Sequence, residues 1–223
     1  MKTILYLCRT GLAEPLGRSQ VLPYNIQLSK NYKIIIISSE KKIDLENKEN
    51  INKISSILAS NNIKWNYSIF NYGKKEVPLR LIKDILKGTY LCWKYKVDVI
   101  HCRGYLPNFS GLIIKLFTSS QLIFDMRGLW PEEVALGLKN GRKSLIFKIL
   151  KLLEIVSILN SNKIVSLTYR ARDYLMKIYR INSASIYTIP TCVDIDRFTY
   201  SNPIEKQNKK FSCIGTILSD WFL

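Results

Sequence analysis

Seven short runs of aliphatic and aromatic residues recur along this chain, and they constrain its fold more than any other feature. In chain order the runs are KTILYLC, KIIIIS, IKWNYSIF, VDVIHC, QLIFDM, KIVSLT and SIYTIP. Most are nearly continuous in apolar side chains instead of alternating apolar with polar residues. Strands of that kind are typical of a parallel sheet covered on both faces. The runs therefore predict a mostly parallel sheet at the centre of the molecule.

Helical patterns separate these runs. They cover roughly residues 19–30, 48–60, 78–94, 108–117, 142–159 and 170–179. Pro23 predicts an irregular opening turn in the first of them. The alternation predicts the α/β class, with a Rossmann-like, twisted sheet and helices on both faces. Right-handed crossovers then place the loop after every strand at one edge of the sheet, where such folds bind ligands.

The pattern over residues 142–159 is strongly apolar. Lys148, Lys151 and Glu154 recur every three residues and leave apolar side chains around most of the helix. A helix lying on a membrane is expected to have a broader charged face. The pattern therefore predicts a mostly buried helix with one narrow solvated stripe.

Length and cysteine content limit the class of protein. A chain of 223 residues buries one sizeable core, and none of its apolar runs is long enough to cross a bilayer. The segment MKTILYLCR lacks the length and cleavage site of a secretory signal. Five scattered cysteines without a CxxC pair fit reduced thiols in a cytosol. These features predict a cytoplasmic protein. Because His101 is the single histidine, we expect no metal centre.

The chain is strongly basic, with a formal net charge of +17. The segment from Lys139 to Arg180 holds ten Lys or Arg residues against Glu154 and Asp173. Such an excess attracts nucleic acid, an anionic membrane surface or phosphorylated substrates. The alternative is a Lys-rich composition that only solvates the surface. Because no nucleic-acid-reading motif accompanies the charge, we expect no nucleic-acid partner.

The loop after the first run, RTGLAEPLGRSQ, carries Gly11 and Gly17 ahead of Arg18. Glycines before a helix allow backbone N–H groups to approach an anion, which the helix dipole also favours. The spacing does not match GxGxxG, although Glu40 after the second run stands where that motif has its ribose-binding acid. The alternative is that both glycines only form turns.

Two Arg-Gly pairs follow the fourth and fifth runs and reach the same edge. Arg103 belongs to RGYLP, and Asp125 and Arg127 belong to FDMRGLWPEE. Guanidinium groups bind phosphate or carboxylate, while carboxylates suit sugar hydroxyls. The alternative for Asp125 and Arg127 is an ion pair that orders the loop. Glu132 and Glu133 are expected in the first turn of a helix, where they complement its dipole.

His101 and three cysteines, Cys8, Cys102 and Cys192, lie near the ends of predicted strands. A single histidine in such a place is more often a hydrogen-bonded core residue than a catalyst. Without an adjacent base, the thiols are interpreted as packing groups.

Three segments together carry a resemblance to a known family. EPLGRSQVLPY, FDMRGLWPEE and IPTCVDIDRF resemble the amino-terminal lobe of family 4 glycosyltransferases, which have the GT-B fold of two Rossmann-like lobes facing a cleft. The resemblance implies a lobe over residues 1–198, a linker over 199–210 and the start of a carboxyl-terminal lobe, FSCIGTILSDWFL, over 211–223. The donor-binding E-x7-E element of that lobe is missing. We therefore expect a truncated gene product or half of a split enzyme.

The resemblance also implies a reaction. A retaining enzyme of this family moves a sugar from a nucleotide sugar, bound as a substrate, to a glycan or lipid-linked acceptor, without a metal or another cofactor. By position, Gly17 and Arg18 would lie over the donor phosphates and acceptor, and Arg103, Asp125 and Arg127 would contact the acceptor. Catalytic residues are not assigned, since the donor-lobe glutamates are absent.

The resemblance implies a role in cell-surface polysaccharide biosynthesis. The basic segment from Lys139 to Arg180 suits lipid phosphates, so we expect a lipid-linked acceptor at the cytoplasmic face of the membrane. The chain alone is expected to be inactive. The alternative is a non-catalytic basic module that binds a membrane or a separate carboxyl-terminal lobe, as half of a split enzyme.

Overall fold

The computed structural model describes residues 1–70 and 76–192, and the strands in these ranges form one parallel sheet. The strands are β1 Thr3–Cys8, β2 Lys33–Lys41, β3 Lys64–Phe70, β4 Val99–Arg103, β5 Gln121–Asp125, β6 Lys163–Ser166 and β7 Ile186–Thr188. Their order is β3-β2-β1-β4-β5-β6-β7, and every pair is parallel. All seven predicted strands are confirmed. β2 runs three residues beyond its apolar run because it continues to pair with β3 as far as Lys41.

Helices connect these strands within the described ranges. They are α1 Leu22–Ser29, α2 Lys42–Glu46, α3 Lys48–Ser60, α4 Glu76–Tyr95, α5 Tyr105–Leu116, α6 Trp130–Leu136, α7 Leu145–Asn160 and α8 Tyr169–Tyr179. Short 3-10 turns lie at Gly141–Lys143 and Ser183–Ser185. A π-helical turn at Gly17–Val21 precedes α1 and confirms the irregular opening that Pro23 predicts.

Polar side chains fix where three of the helices begin. Asn47, Ser144 and Thr168 precede α3, α7 and α8, and each side-chain oxygen accepts the backbone N–H three residues later. Such caps satisfy amides that have no partner within the helix. The local sequence therefore explains these helix starts without tertiary contacts.

Residues of β1 alternate between the two sides of the sheet, as strand geometry requires. Tyr6 and Cys8 pack in a core cluster with residues of α1 and α3. Leu5 and Leu7 pack in a second cluster with residues of α4 and α5. A third cluster around Phe124 joins α5, α7 and α8 to the end of the sheet. The prediction of helices on both faces is confirmed.

Helix α7 differs from its prediction. Leu152 and the other apolar residues of its outer side are exposed, whereas Glu154 is fully buried and Lys151 is half-buried. The Glu154 carboxylate accepts hydrogen bonds from Lys151 and from the hydroxyls of Tyr105 and Tyr179. The expectation of a mostly buried apolar helix is wrong, because tyrosines of α5 and α8 provide partners that permit the charged side to face inward.

Several expectations lie outside the described residues. The lobe boundary at residue 198, the linker over 199–210 and the segment over 211–223 all follow the last described residue, Cys192. Among residues 1–70 and 76–192, no helix has the length and apolar character needed to span a bilayer.

Candidate functional site

A cavity of about 450 Å³ lies at the carboxyl edge of the sheet, beside the switch in strand order between β1 and β4. Its walls come from β1, β4, β5 and β6, from the helical segment around α1 and from the residues after β7. The lining residues that matter for its chemistry are Gln20, Tyr24, Arg103, Asp125, Arg127 and Thr191. Open α/β sheets bind ligands at this place. The cavity therefore lies at the edge of the sheet where the sequence predicts ligand binding.

Two arginines converge in this cavity. Arg103, the last residue of β4, donates from Nη2 to Gln20 Oε1 at 2.6 Å. Arg127 donates from Nη2 to the same oxygen at 3.4 Å and to Thr191 Oγ1 at 3.1 Å. Two guanidinium groups therefore share one neutral amide oxygen. An anionic oxygen at that position would be a better partner for both cations.

Asp125, at the end of β5, lies beneath the arginines and is 5% exposed. Its carboxylate oxygens lie 3.4 Å from Arg127 Nη1 and 3.5 Å from His101 Nε2. Burial favours the neutral acid, but the close approach of the His101 imidazole and the charges of Arg127 and Arg103 outweigh burial and lower the pKa of Asp125. The ion pair that was the alternative interpretation of Asp125 and Arg127 is present. One positive charge of the two arginines stays uncompensated by Asp125.

His101 lies in the core beneath the cavity. Its ring centroid is 4.8 Å from that of Tyr6 and 5.7 Å from that of Tyr24. Burial, followed by the negative charge of Asp125, raises the pKa of Tyr24 to about 12, so its hydroxyl stays protonated at neutral pH. The interpretation of His101 as a core residue is confirmed, but its Nε2 has no hydrogen-bond partner among the described residues. An aromatic wall borders the carboxylate.

The glycine loop is built on a buried carboxylate. Glu40 accepts the N–H groups of Leu12 at 2.8 Å and Ala13 at 3.0 Å, and the hydroxyl of Ser38 at 2.5 Å. Gly11 donates to another carboxylate, that of Glu14, at 3.0 Å. These amides are therefore already occupied. The comparison of Glu40 with a ribose-binding acid is wrong, because its side chain is inside the protein and holds the loop in place.

Gly17 and Arg18 lie beside the cavity without lining it. Gly17 packs directly on Gly11, whose carbonyl oxygen would be 1.8 Å from a Cβ at position 17. Arg18 donates from Nη1 to Asn50 Oδ1 at 3.3 Å on the exposed side of the helical segment. The close contact between the backbones of Gly17 and Gly11 leaves no room for a side chain at position 17. It explains the two glycines as packing residues. A role for Gly17 and Arg18 over donor phosphates stays a prediction.

Three cavity residues were not singled out from the sequence. Gln20 joins the two arginines, Tyr24 forms the aromatic wall, and Thr191 receives the bond from Arg127. Gln20 ends the segment EPLGRSQ, about one turn into the helical segment that follows the first strand. This position at the ligand-binding edge could have identified Gln20 as a cavity residue. Tyr24 and Thr191 lie in two segments that carry the family resemblance, EPLGRSQVLPY and IPTCVDIDRF, but only the fold brings them to the arginines.

Other predicted residues have mixed outcomes. Glu132 and Glu133 lie in the first turn of α6, as expected, and Glu132 also contacts Lys151 Nζ at 3.0 Å. Cys8 and Cys102 are buried packing groups, but Cys192 is exposed at the cavity, so its interpretation as a packing group is wrong.

A second cavity, of about 780 Å³, lies at the opposite edge, between the ends of α4 and α5 and the strand starts. It lacks a comparable group of converging charges, and α/β sheets seldom bind substrates at that edge. Across residues 1–70 and 76–192, no three His, Cys, Asp or Glu side chains are grouped to hold a metal ion.

Comparison with known families gives a match over most of the chain. The model of Glycosyltransferase Family 4 matches residues 28–197. The comparison with curated protein sequences gives no significant match.

Solved structures with the same fold include those of three other proteins. A glycosyltransferase from Rickettsia africae aligns with a TM-score of 0.55 at 18% identity, over 92% of this chain and 46% of that protein. Alr3699/HepE of Anabaena, in complex with UDP and glucose, aligns with a TM-score of 0.57 at 10% identity, over 91% and 48% of the two chains.

The third is the lipopolysaccharide outer core galactosyltransferase WaaB, with a TM-score of 0.53 at 12% identity, over 93% and 50% of the two chains. At these identities the likeness shows the fold alone. The chain spans about half the length of the structures it matches.

Proposed function

This chain belongs to Glycosyltransferase Family 4, and from that premise we propose that it forms the acceptor-side lobe of a retaining glycosyltransferase. The enzyme would transfer a sugar from a nucleotide sugar to a glycan or lipid-linked acceptor. The observation that carries the proposal is the convergence of Arg103 and Arg127 on Gln20 above the buried Asp125. That arrangement offers positive charge, a carboxylate and an aromatic wall within one cavity.

The chemistry assigns a task to each of these groups. In the transfer, the bond between the anomeric carbon and the diphosphate breaks, and a bond from the acceptor oxygen to the same carbon forms on the same face. The proton of the acceptor hydroxyl passes to an oxygen of the departing diphosphate. The two arginines stabilise phosphate charge, either that of the departing diphosphate or that of the acceptor. The Asp125 carboxylate, ionised at neutral pH, accepts a hydrogen bond from a sugar hydroxyl and orients it. The reaction uses no metal in this proposal, as the family resemblance implies.

We further propose that the chain does not turn over a donor by itself. In the solved structures that it matches, it accounts for about half the length, and a half-cleft does not orient a donor or exclude water. Incubation of the purified chain with UDP-glucose and candidate glycolipids tests this. Release of UDP would contradict it.

The acceptor is proposed to be part of cell-surface polysaccharide assembly at the cytoplasmic face of a membrane. Two observations support this: the excess of basic residues between Lys139 and Arg180, and the fold shared with a lipopolysaccharide galactosyltransferase. Anionic lipid headgroups attract such a basic surface. The localisation is tested by fractionation of cells that express the full gene, where recovery in the soluble fraction at low salt would contradict it.

Binding measurements test the cavity directly. Calorimetric titration of the chain with pyrophosphate and with UDP-glucose should give binding that weakens about tenfold in Arg103→Ala and in Arg127→Ala, because each variant loses a charge-assisted contact. Arg170→Ala, which removes an exposed arginine from α8, is the matched control and should bind as the natural chain does. Equal affinities in all four proteins, or no binding at all, would overturn the assignment of this cavity.

A further inference from the structure

The outer side of α7 carries an apolar stripe along its whole length, with Lys148 exposed beside it. Its exposed large side chains are Leu145, Ile146, Ile149, Leu152, Val156 and Leu159. Five of the six follow one another at intervals of three or four residues, so they form one stripe along the helix. Each exposes between 41% and 72% of its surface. An apolar stripe usually faces the core, and here it faces outward.

The inner side of α7 explains this orientation. Glu154 is held by Lys151 and by the hydroxyls of Tyr105 and Tyr179, and Lys151 also reaches Glu132 at 3.0 Å. A rotation that buried the apolar stripe would remove the carboxylate from these partners. Because an unpaired buried charge is strongly unfavourable, the network fixes the helix with its apolar stripe outward.

Helix α4 repeats the pattern on the same side of the sheet. Its exposed large side chains are Leu79, Ile82, Leu86, Tyr90 and Trp93. They are again three or four residues apart and expose between 53% and 67% of their surface. Helix α5 lies between α4 and α7 and contacts both, and it exposes Ile113, Leu116 and Phe117 near its end. The outward stripes of these three helices are called the apolar face below.

The size of the apolar face exceeds what a free surface usually has. Soluble monomers leave apolar patches of about 300–600 Å² exposed, whereas more than a dozen half-exposed large side chains amount to an area on the order of 1,000 Å². A patch of that size marks a surface that another apolar phase covers.

Exposed cationic side chains flank the apolar face. Lys83, Lys87 and Lys94 are exposed on α4, and Arg142 and Lys143 are exposed just before α7. Two copies of the chain docked through this face would bring these cations together, which disfavours a dimer. A partner with an apolar interior and an anionic surface complements both the apolar face and the cations around it.

Within the described side chains of α4 and α7, acidic residues do not offset this charge, and the exposed Asp98 just after α4 lines the second cavity together with Lys2 and Lys96. Between residue 78 and the end of α4, the acid is Asp84, which is partly buried, and within α7 it is the fully buried Glu154. The exposed charged residues of these two segments are therefore all lysines.

We propose that the apolar face docks this lobe on an anionic lipid bilayer. Its leucine, isoleucine and aromatic side chains enter the boundary between headgroups and acyl chains, and the flanking lysines and arginines contact lipid phosphates. Helices that join parallel strands run opposite to them, so α4 and α7 begin at the edge that holds the 450 Å³ cavity. Docking therefore brings the cavity close to lipid-linked molecules. The inference deepens the membrane association proposed above and is independent of sugar transfer.

Vesicle flotation of the purified full chain tests the proposal. Vesicles of phosphatidylcholine mixed with phosphatidylglycerol should carry the protein, and vesicles of phosphatidylcholine alone should carry much less. The test variant is Leu145→Glu with Leu152→Glu, whose side chains are 72% and 60% exposed. The matched control is Ile43→Glu with Ile69→Glu, which are 72% and 60% exposed but lie at the β3 edge of the sheet, away from the apolar face.

The two double variants add the same charge at equally exposed positions. The test variant should bind the mixed vesicles at least about tenfold more weakly than the natural chain, while the control keeps most of its binding. Because all four positions are exposed, both variants should fold, which circular dichroism confirms. In addition, Trp93 fluorescence should shift to the blue on binding, and the shift should be lost in Trp93→Phe.

Several results would overturn the proposal. They are absence of binding by the natural chain, equal losses in both double variants, and binding that the test variant retains but high salt abolishes, which would indicate charge adsorption alone. The natural chain and the control could also be dimers that bind no vesicles, with the test variant a monomer. That result would show that a second copy of the chain covers the apolar face. Since the vesicles contain no sugar nucleotide, failure here would leave the titrations of the arginine variants unaffected, and the reverse also holds.

Discussion

Replacement of Gly17 by alanine should destabilise the fold through clashes with the backbone of Gly11 and Leu12. A Cβ at this position would lie 1.8 Å from the Gly11 carbonyl oxygen and 2.9 Å from Leu12 Cα. Both are backbone atoms, so the loop itself must move by more than an ångström to restore an ordinary contact. The same movement pulls the amides of Leu12 and Ala13 away from the Glu40 carboxylate.

The magnitude follows from these two effects. Overpacking of a tight site costs about 1–3 kcal/mol, and a weakened hydrogen bond to a buried charge costs about 1.5–3 kcal/mol. Alanine in a helical turn returns roughly 0.5–1 kcal/mol. The expected net loss is therefore about 3 kcal/mol, which for a chain of this length lowers Tm by roughly 6–12 °C.

Urea unfolding followed by far-UV circular dichroism measures this loss. Gly137→Ala is the matched control, because its Cβ would meet nothing nearer than Val134 O at 3.8 Å and its φ of −89° suits any residue. That variant should be neutral or slightly more stable. The reasoning fails if Gly17→Ala lies within about 0.5 kcal/mol of the natural chain, or if both glycine variants behave alike.

Three further predictions concern buried ionisable groups. Glu40→Gln should lose about 2 kcal/mol in urea unfolding because loop amides keep a weaker acceptor, whereas the exposed Glu46→Gln should change little. Since the pKa of Asp125 is lowered in the folded protein from an ordinary 3.8, its contribution to stability is present above that pH and lost as the pH falls further. The stability difference between the natural chain and Asp125→Asn should therefore shrink from pH 6 to pH 3 in parallel urea titrations; a constant difference would contradict the assigned pKa direction. Mass spectrometry after brief alkylation of the native protein should find Cys192 modified and Cys8 unmodified, because Cys8 is buried and burial raises the pKa of its thiol; equal labelling would show that the fold does not protect Cys8.

The sequence alone determined the architecture and the edge that holds the cavity. Successive side chains of a strand point to opposite faces of the sheet. A continuous apolar run such as KIIIIS therefore buries side chains on both faces, which requires a parallel sheet covered by helices. The carboxyl end of each strand follows from chain direction, so Arg103, Asp125 and Arg127 were predictable as neighbours at one edge. Helix caps such as Ser144 are equally local, since donor and acceptor are three residues apart.

Tertiary structure decided which partner each polar group has and which side of each helix faces the core. Nothing near Glu40 in sequence indicates that it holds the amides of Leu12 and Ala13, which lie 28 and 27 residues away. Likewise, the pattern of α7 defines an apolar stripe and a charged stripe, but periodicity does not indicate which of them faces inward. Tyr105 and Tyr179 decide this by binding the Glu154 carboxylate. The physical reason is that a buried charge is tolerated only where the fold brings its partners together, and those partners come from distant parts of the chain.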